Sequence, residues 1–163
     1  MEGRALNAPS RILILGIGSR LMRDDGVGPL LADALRKDAH PAHWEICAAE
    51  TDVWFAARLR EPGDYVVLLD AVCSGGKPGN VRRYPLEREQ RQRLPIDAHA
   101  MDWWGNVLED CRGAYLIGIE ADEVAPGIGL SKALSEQWVQ LYTQVRSILA
   151  ELDSEAEARR NVG

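Results

Sequence analysis

Cysteine is scarce, basic residues are outnumbered and no apolar run is long, so several classes of protein drop out before any motif is read. Cys47, Cys73 and Cys111 are an odd number, lie far apart and form no C-x-x-C pair. That excludes a disulfide framework and a thiolate zinc site, and it fits a reducing compartment. With 19 Lys and Arg against 25 Asp and Glu, the formal charge is -6, the wrong sign for a nucleic-acid groove or an anionic membrane surface. Basic residues gather only at Arg82, Arg83, Arg88, Arg91 and Arg93, interleaved with Glu87 and Glu89, which reads as a solvated segment. No stretch approaches the roughly 20 apolar residues of a membrane helix, and "MEGRALNAPS" lacks the apolar core of a signal peptide. A cytoplasmic protein with neither a nucleic-acid nor a membrane partner is expected.

The chain has 163 residues, 46% of them hydrophobic, which suits a single domain with a full core. Strand-like runs alternate with helical patterns: "RILILG" at 11–16, "WEICAA" at 44–49, "YVVLLDA" at 65–71 and "AYLIGIE" at 114–120. Such alternation predicts an α/β protein of three layers, a twisted, mostly parallel sheet with helices on both faces. "VRRYPL" suits an edge strand, because Pro85 cannot serve a central one. Helices are expected from about Gly26, from Thr51 as an N-cap, from Asp97 through Cys111, and from Ser131 to Leu152. Trp44, Trp54, Trp104 and Trp138 are assigned to the core, and His40 and His43 to a surface loop. Residues 11–152 form the expected ordered core, and the charged tail 153–163 is expected to fray.

"LGIGSRLMRDDGVG", residues 15–28, carries the first chemistry. A strand, a glycine turn and a helix suggest a dinucleotide site, but that fingerprint needs a third glycine where Leu21 stands. Asp24 and Asp25 would also repel a phosphate at that helix N-terminus, so no nucleotide is expected. Helix capping is the ordinary role for aspartates there, and one of the pair can cap while the other faces a cleft.

In an open parallel sheet, ligands bind beyond the carboxyl ends of the strands. Asp25 lies just past the first strand, and Asp70 ends the most apolar one. His99, at the start of a helix, is the best placed of three histidines to join them. Two carboxylates and an imidazole suit nickel, zinc or manganese, with positions left open for water or a substrate atom. Asp102 and Trp103 share the helix face of His99, which allows two readings for them, orienting the imidazole and lining the cleft or ordinary solvent exposure.

"LGIGSRLMRDDGVG", "YVVLLDAV" followed by "KPG", "DAHAMDWWGNVLED" and "YLIGIEADEVAPGIGLS" together resemble, in order and spacing, the hydrogenase maturation endopeptidases. The resemblance runs from about residue 11 to residue 152 and implies a phosphorylase/hydrolase-like fold. It implies that Asp25, Asp70 and His99 are metal ligands. Two departures stand out: Ser19 replaces the usual asparagine of the turn, and "AAETDVW" replaces a glycine-threonine pattern.

The implied activity is removal of a C-terminal extension from a nickel-iron hydrogenase large-subunit precursor, with nickel carried by that precursor. Asp25 and Asp70 are the candidate catalytic residues, Ser19 and Trp103 the candidate substrate-binding residues, and a monomer is expected. Two other readings stand beside it. One is a cysteine hydrolase built on Cys73 and His99. The other is a non-catalytic, nickel-dependent docking or chaperone module for the same precursor.

Overall fold

Strand β1, Ile12–Ile17, is buried at every position, as its unbroken apolar run requires of a strand covered on both faces. The computed structural model of the chain describes residues 9–86 and 105–162. After β1 come a 3-10 turn at Arg23–Gly26 and helix α1, Val27–Lys37. Strand β2 is Trp44–Glu50, helix α2 Val53–Leu59, strand β3 Tyr65–Val72 and strand β4 Val81–Pro85. A second 3-10 turn at Gly105–Leu108 leads to strand β5, Gly113–Glu120, and to helices α3, Lys132–Glu136, and α4, Trp138–Val162.

The sheet order is β2-β1-β3-β5-β4. All pairings are parallel except that of β4, which runs antiparallel to β5 at the edge, where Pro85 is tolerated. From β1 the chain steps outward to β2, then returns across β1 to form β3. The carboxyl ends of β1 and β3 therefore flank the topological switch point, where connecting loops diverge and leave a crevice.

Strand alternation builds two cores. Ile12, Ile14, Val67, Leu69, Ile117 and Ile119 pack against α1 and α4. Leu13, Leu15, Val66, Leu68 and Leu116 pack on the other face against Ala56 of α2 and against Val107 and Leu108. The expected three layers are present. Among the described residues no helix is long and apolar enough to cross a membrane.

Four local expectations are revised. Asp52, not Thr51, caps α2, its side chain accepting from the Phe55 amide at 2.8 Å, because β2 runs on to Glu50 and Thr51 is spent in the turn. Trp54 is 74% exposed rather than core, since the short α2 turns Ala56 inward and Trp54 outward. The last helix is broken at Gln137, whose amide nitrogen is held by the carbonyls of Pro78 and Ala133; Ser131 still caps its first part, accepting from the Leu134 amide at 3.3 Å.

The tail does not fray: α4 continues to Val162, with Leu152 and Ala156 buried. Glu157 accepts from the Ser10 amide at 3.2 Å and pairs with Arg160 at 2.7 Å. His43 is likewise tied down, its Nε2 standing 2.7 Å from Asp153, which also accepts from the Trp44 indole at 3.0 Å. Of the helix expected over 97–111, Asp97, His99, Met101, Asp102, Trp103 and Trp104 lie outside the described residues.

α1 enters the sheet at Gly28, where an added Cβ would strike the carbonyl oxygens of Ile17 and Leu69. Gly28→Ala, which in an open helix stabilises by about 1 kcal/mol, should here destabilise by about 2–3 kcal/mol because the backbone of β1 and β3 must move. Urea unfolding measures it. A Gly129→Ala control, strained by its φ of 87° but with nothing within 4 Å, should lose only about 1–2 kcal/mol.

Candidate functional site

The loop after β1 is wound tightly around Asp25. Gly18 takes φ of 121°, and a Cβ there would strike the Asp25 carbonyl, so only glycine lets the chain leave β1 at this angle. The Gly18 amide donates to the Glu50 carbonyl at 3.1 Å, and the Ser19 amide to Asp25 Oδ2 at 2.7 Å. Ser19 Oγ accepts from the Leu21 amide at 3.3 Å, closing a local turn. Ser19 thus shapes the turn through its amide and hydroxyl, whatever it contributes to substrate binding.

Neither aspartate caps α1, whose N-cap is Gly26 with no side-chain hydrogen bond. In a 3-10 turn successive side chains stand about 120° apart, so two adjacent acids cannot face the same way. Asp24 points inward and is 0% exposed. Its Oδ2 accepts from the amides of Asp122 and Glu123, both at 2.9 Å, and its Oδ1 from the Ser131 amide at 2.7 Å. Burial acts to raise its pKa, but the amides outweigh it and hold the carboxyl below its ordinary value. The backbone continues the seam: Asp24 donates to Glu123 and Arg23 to Gly127, both at 3.0 Å, and Gly127 to Leu21 at 2.8 Å.

Asp25 turns the other way. One of its oxygens is held by the Ser19 amide, and the other makes no hydrogen bond among the described residues. Asp70, near the carboxyl end of β3, lies within its electrostatic reach. The Asp70 carboxyl is pushed well above its ordinary pKa, first by burial and then by the charge of Asp25, with the Ala71 amide opposing. Two like charges held this way make a site that favours a cation or a shared proton. His99 and Trp103 lie outside the described residues. Among the described residues no three His, Cys, Asp or Glu side chains are grouped so as to hold a metal ion.

Cys73 follows β3 and is exposed. Its thiol is pushed up by burial and by the negative charges of Glu120, Asp25, Asp70 and Asp24. A nucleophilic cysteine needs the opposite surroundings, which counts against the cysteine-hydrolase reading. Glu120, which the sequence reading passed over, ends β5 nearly buried. It accepts from the amides of Ser74, Gly75 and Gly76 at 2.9, 3.0 and 3.2 Å and from Ser74 Oγ at 2.5 Å. The signal was present: like Asp70, it is an acid closing an apolar strand, and "SGG" supplies the amides.

No family model matches the chain, and no curated protein matches it. Among solved structures, the hydrogenase maturating endopeptidase HybD from E. coli is similar, with a TM-score of 0.72 at 24% identity over 86% of this chain and 93% of that one. The [NiFe] hydrogenase maturation protease HybD from Thermococcus kodakarensis gives 0.64 at 23% identity, covering 85% and 98%. HycI, a [NiFe] hydrogenase maturation protease from Thermococcus kodakarensis KOD1, gives 0.61 at 24% identity, covering 89% and 96%. The chain has the fold of these proteases over most of its length, and the expected resemblance is met at that level.

Substitution should separate the two adjacent acids from each other and from Asp70. Asp24→Asn removes the charge that three amides converge on, and should cost about 3 kcal/mol of stability. Because the Asp24 pKa is depressed, its contribution is present above the ordinary aspartate range and is lost as pH falls through the lowered value. Asp70 has the opposite sign. Its raised pKa means stability is lost as pH climbs from the ordinary aspartate range through the raised value. In metal-free protein, Asp70→Asn should therefore raise the melting temperature at pH 7 and leave it nearly unchanged at pH 3, as calorimetry would read.

Proposed function

We propose that the chain is a hydrogenase maturation endopeptidase, one that removes the C-terminal extension of a nickel-iron hydrogenase large-subunit precursor after nickel insertion. The observation that carries this reading is the placement of Asp25, on the loop after β1, and Asp70, near the carboxyl end of β3, at the sheet's switch point, in a fold shared with structures titled as hydrogenase maturation proteases. A carboxylate pair relieved by a cation suits a substrate that brings its own metal. Nickel in the precursor would be met by Asp25 and Asp70, with His99 as the third ligand. Metal recognition then serves as proof that the precursor is loaded and sets the scissile bond beside the acids.

The chemistry follows from the two environments. Bound nickel supplies Lewis-acid polarisation of the scissile carbonyl or of an attacking water. Asp25 is anchored through one oxygen by the Ser19 amide, and its other oxygen makes no hydrogen bond among the described residues. Asp25 and Asp70 are the two groups placed to accept the proton of the attacking water and return it to the leaving amine. The result is a single hydrolysed peptide bond with no covalent intermediate.

The test is cleavage of nickel-loaded precursor by purified protein, read by mass spectrometry. Wild type should release the C-terminal peptide, and metal-free precursor should stay intact. Asp25→Asn, Asp70→Asn and His99→Ala should each slow processing by about a hundredfold or more while leaving the circular dichroism spectrum unchanged. A complex of wild type with nickel-loaded precursor in which both chains persist uncut would instead establish the docking-module reading.

A further inference from the structure

Asp70 pairs across the sheet with Gly118, and Gly118 with Arg82. The three positions form one row and, by strand alternation, present to one face. Their neighbours confirm it: Val72, Leu116 and Tyr84 pack with the core on that face, while Ile117, Ile119 and Val81 pack with the opposite one. Where that core ends, the row opens into a concave cleft of about 190 Å³ lined by Arg82, Tyr84, Asn80, Gly118 and the Ser74–Gly76 turn. Gly118 sets the floor. A Cβ there would stand 2.8 Å from Val72 and 3.0 Å from Tyr84, so no side chain rises between the Asp70 and Arg82 positions.

Two charges border the cleft, and only one is spoken for. Glu120 is saturated by the three turn amides and the Ser74 hydroxyl. Arg82 is exposed and makes no hydrogen bond or ion pair among the described residues, whereas its neighbour Arg83 is paired with Glu155 at 2.8 Å on the other face. A guanidinium at a polar, concave site is suited to bidentate capture of a carboxylate. The volume is too small for a drug-sized ligand and fits a short length of peptide.

We propose that this cleft is a peptide subsite in which Arg82 binds a carboxylate of the segment flanking the cleaved bond. The inference rests on the endopeptidase reading and adds a specificity element to it. Two strand spacings separate Arg82 from Asp70, roughly 10 Å, so the carboxylate lies about three residues along an extended substrate from the bond at the acid pair. Arg82 also offsets the repulsion that Asp25 and Asp70 exert on an acidic peptide. The carboxylate belongs either to an Asp or Glu side chain or to a chain terminus.

Uniformly 15N-labelled protein would be titrated with acetyl-Ala-Ala-Ala bearing a free terminal carboxylate, with its carboxamide, and with acetyl-Ala-Glu-Ala carboxamide. At least one carboxylate peptide should shift the amide signals of Gly75, Gly76 and Gly118, and which one does so identifies the source. The neutral carboxamide should bind about tenfold more weakly, and Arg82→Gln should abolish the difference. Equal shifts by the neutral peptide, no shift by either carboxylate peptide, or shifts unchanged in Arg82→Gln would overturn the subsite. With nickel-loaded precursor, Arg82→Gln should raise KM about tenfold and leave kcat within twofold. If wild type binds the carboxylate through Arg82 yet cuts no precursor, the endopeptidase reading fails and Arg82 is left as a carboxylate-binding site with no role in cleavage. If wild type cuts the precursor and Arg82→Gln leaves KM unchanged, the subsite fails alone.

Discussion

A buried carboxylate with three amides aimed at it organises the working end of this protein. Asp24 joins two loops that follow different strands, one after β1 and one after β5. Each amide donated to an anion in a water-excluded position is a charge-assisted hydrogen bond, stronger than the neutral bonds of the surrounding turns. The charge is stabilised rather than merely tolerated, as its depressed pKa records. Because Asp24 is fixed inward, the geometry of the 3-10 turn forces Asp25 outward. The orientation of Asp25 is thus a consequence of the burial of its neighbour.

The fold supplies the second constraint. The chain crosses back over β1 between β2 and β3, so the loop after β1 and the end of β3 border the same crevice. Gly28 lets α1 sit directly on the two strands, bringing the 3-10 turn down to the level of Asp70. Close packing of backbone on backbone therefore holds the turn that carries Asp25 against the end of the strand that carries Asp70. Acids brought together at the end of a sheet are commonest where a ligand is to be bound.

Much of this was legible in the sequence. Continuous apolar strands, Pro85 at an edge and acids ending strands gave the layers, the edge and the positions of Asp25 and Asp70. Errors arose where a local signal was outvoted by geometry several residues away. Thr51 has good capping chemistry, but the length of β2 consumed it. Trp54 is large and apolar, but a seven-residue helix has one narrow buried face, and Ala56 occupies it. The tail at 153–162 looks like solvated charge, yet its acids find Arg83, Ser10 and Trp44, partners more than 70 residues distant. No pattern within the tail could announce those partners.

Four acids meet at the carboxyl end of the sheet, and their hydrogen bonding sorts them. Asp24 and Glu120 each receive at least three donors, lie buried and serve as anchors, the first for the 121–131 loop and the second for the 74–76 turn. Asp25 is only half-satisfied, and Asp70 is driven toward protonation by burial and by its neighbour's charge. An acid whose donors are complete has no free energy left to give a ligand, because any new partner must displace an equal one. An acid left short of donors, beside another like it, gains the full interaction when a cation or a proton arrives. Residue type alone does not sort the four, and the count of converging amides separates the two that anchor loops from the two left short of donors.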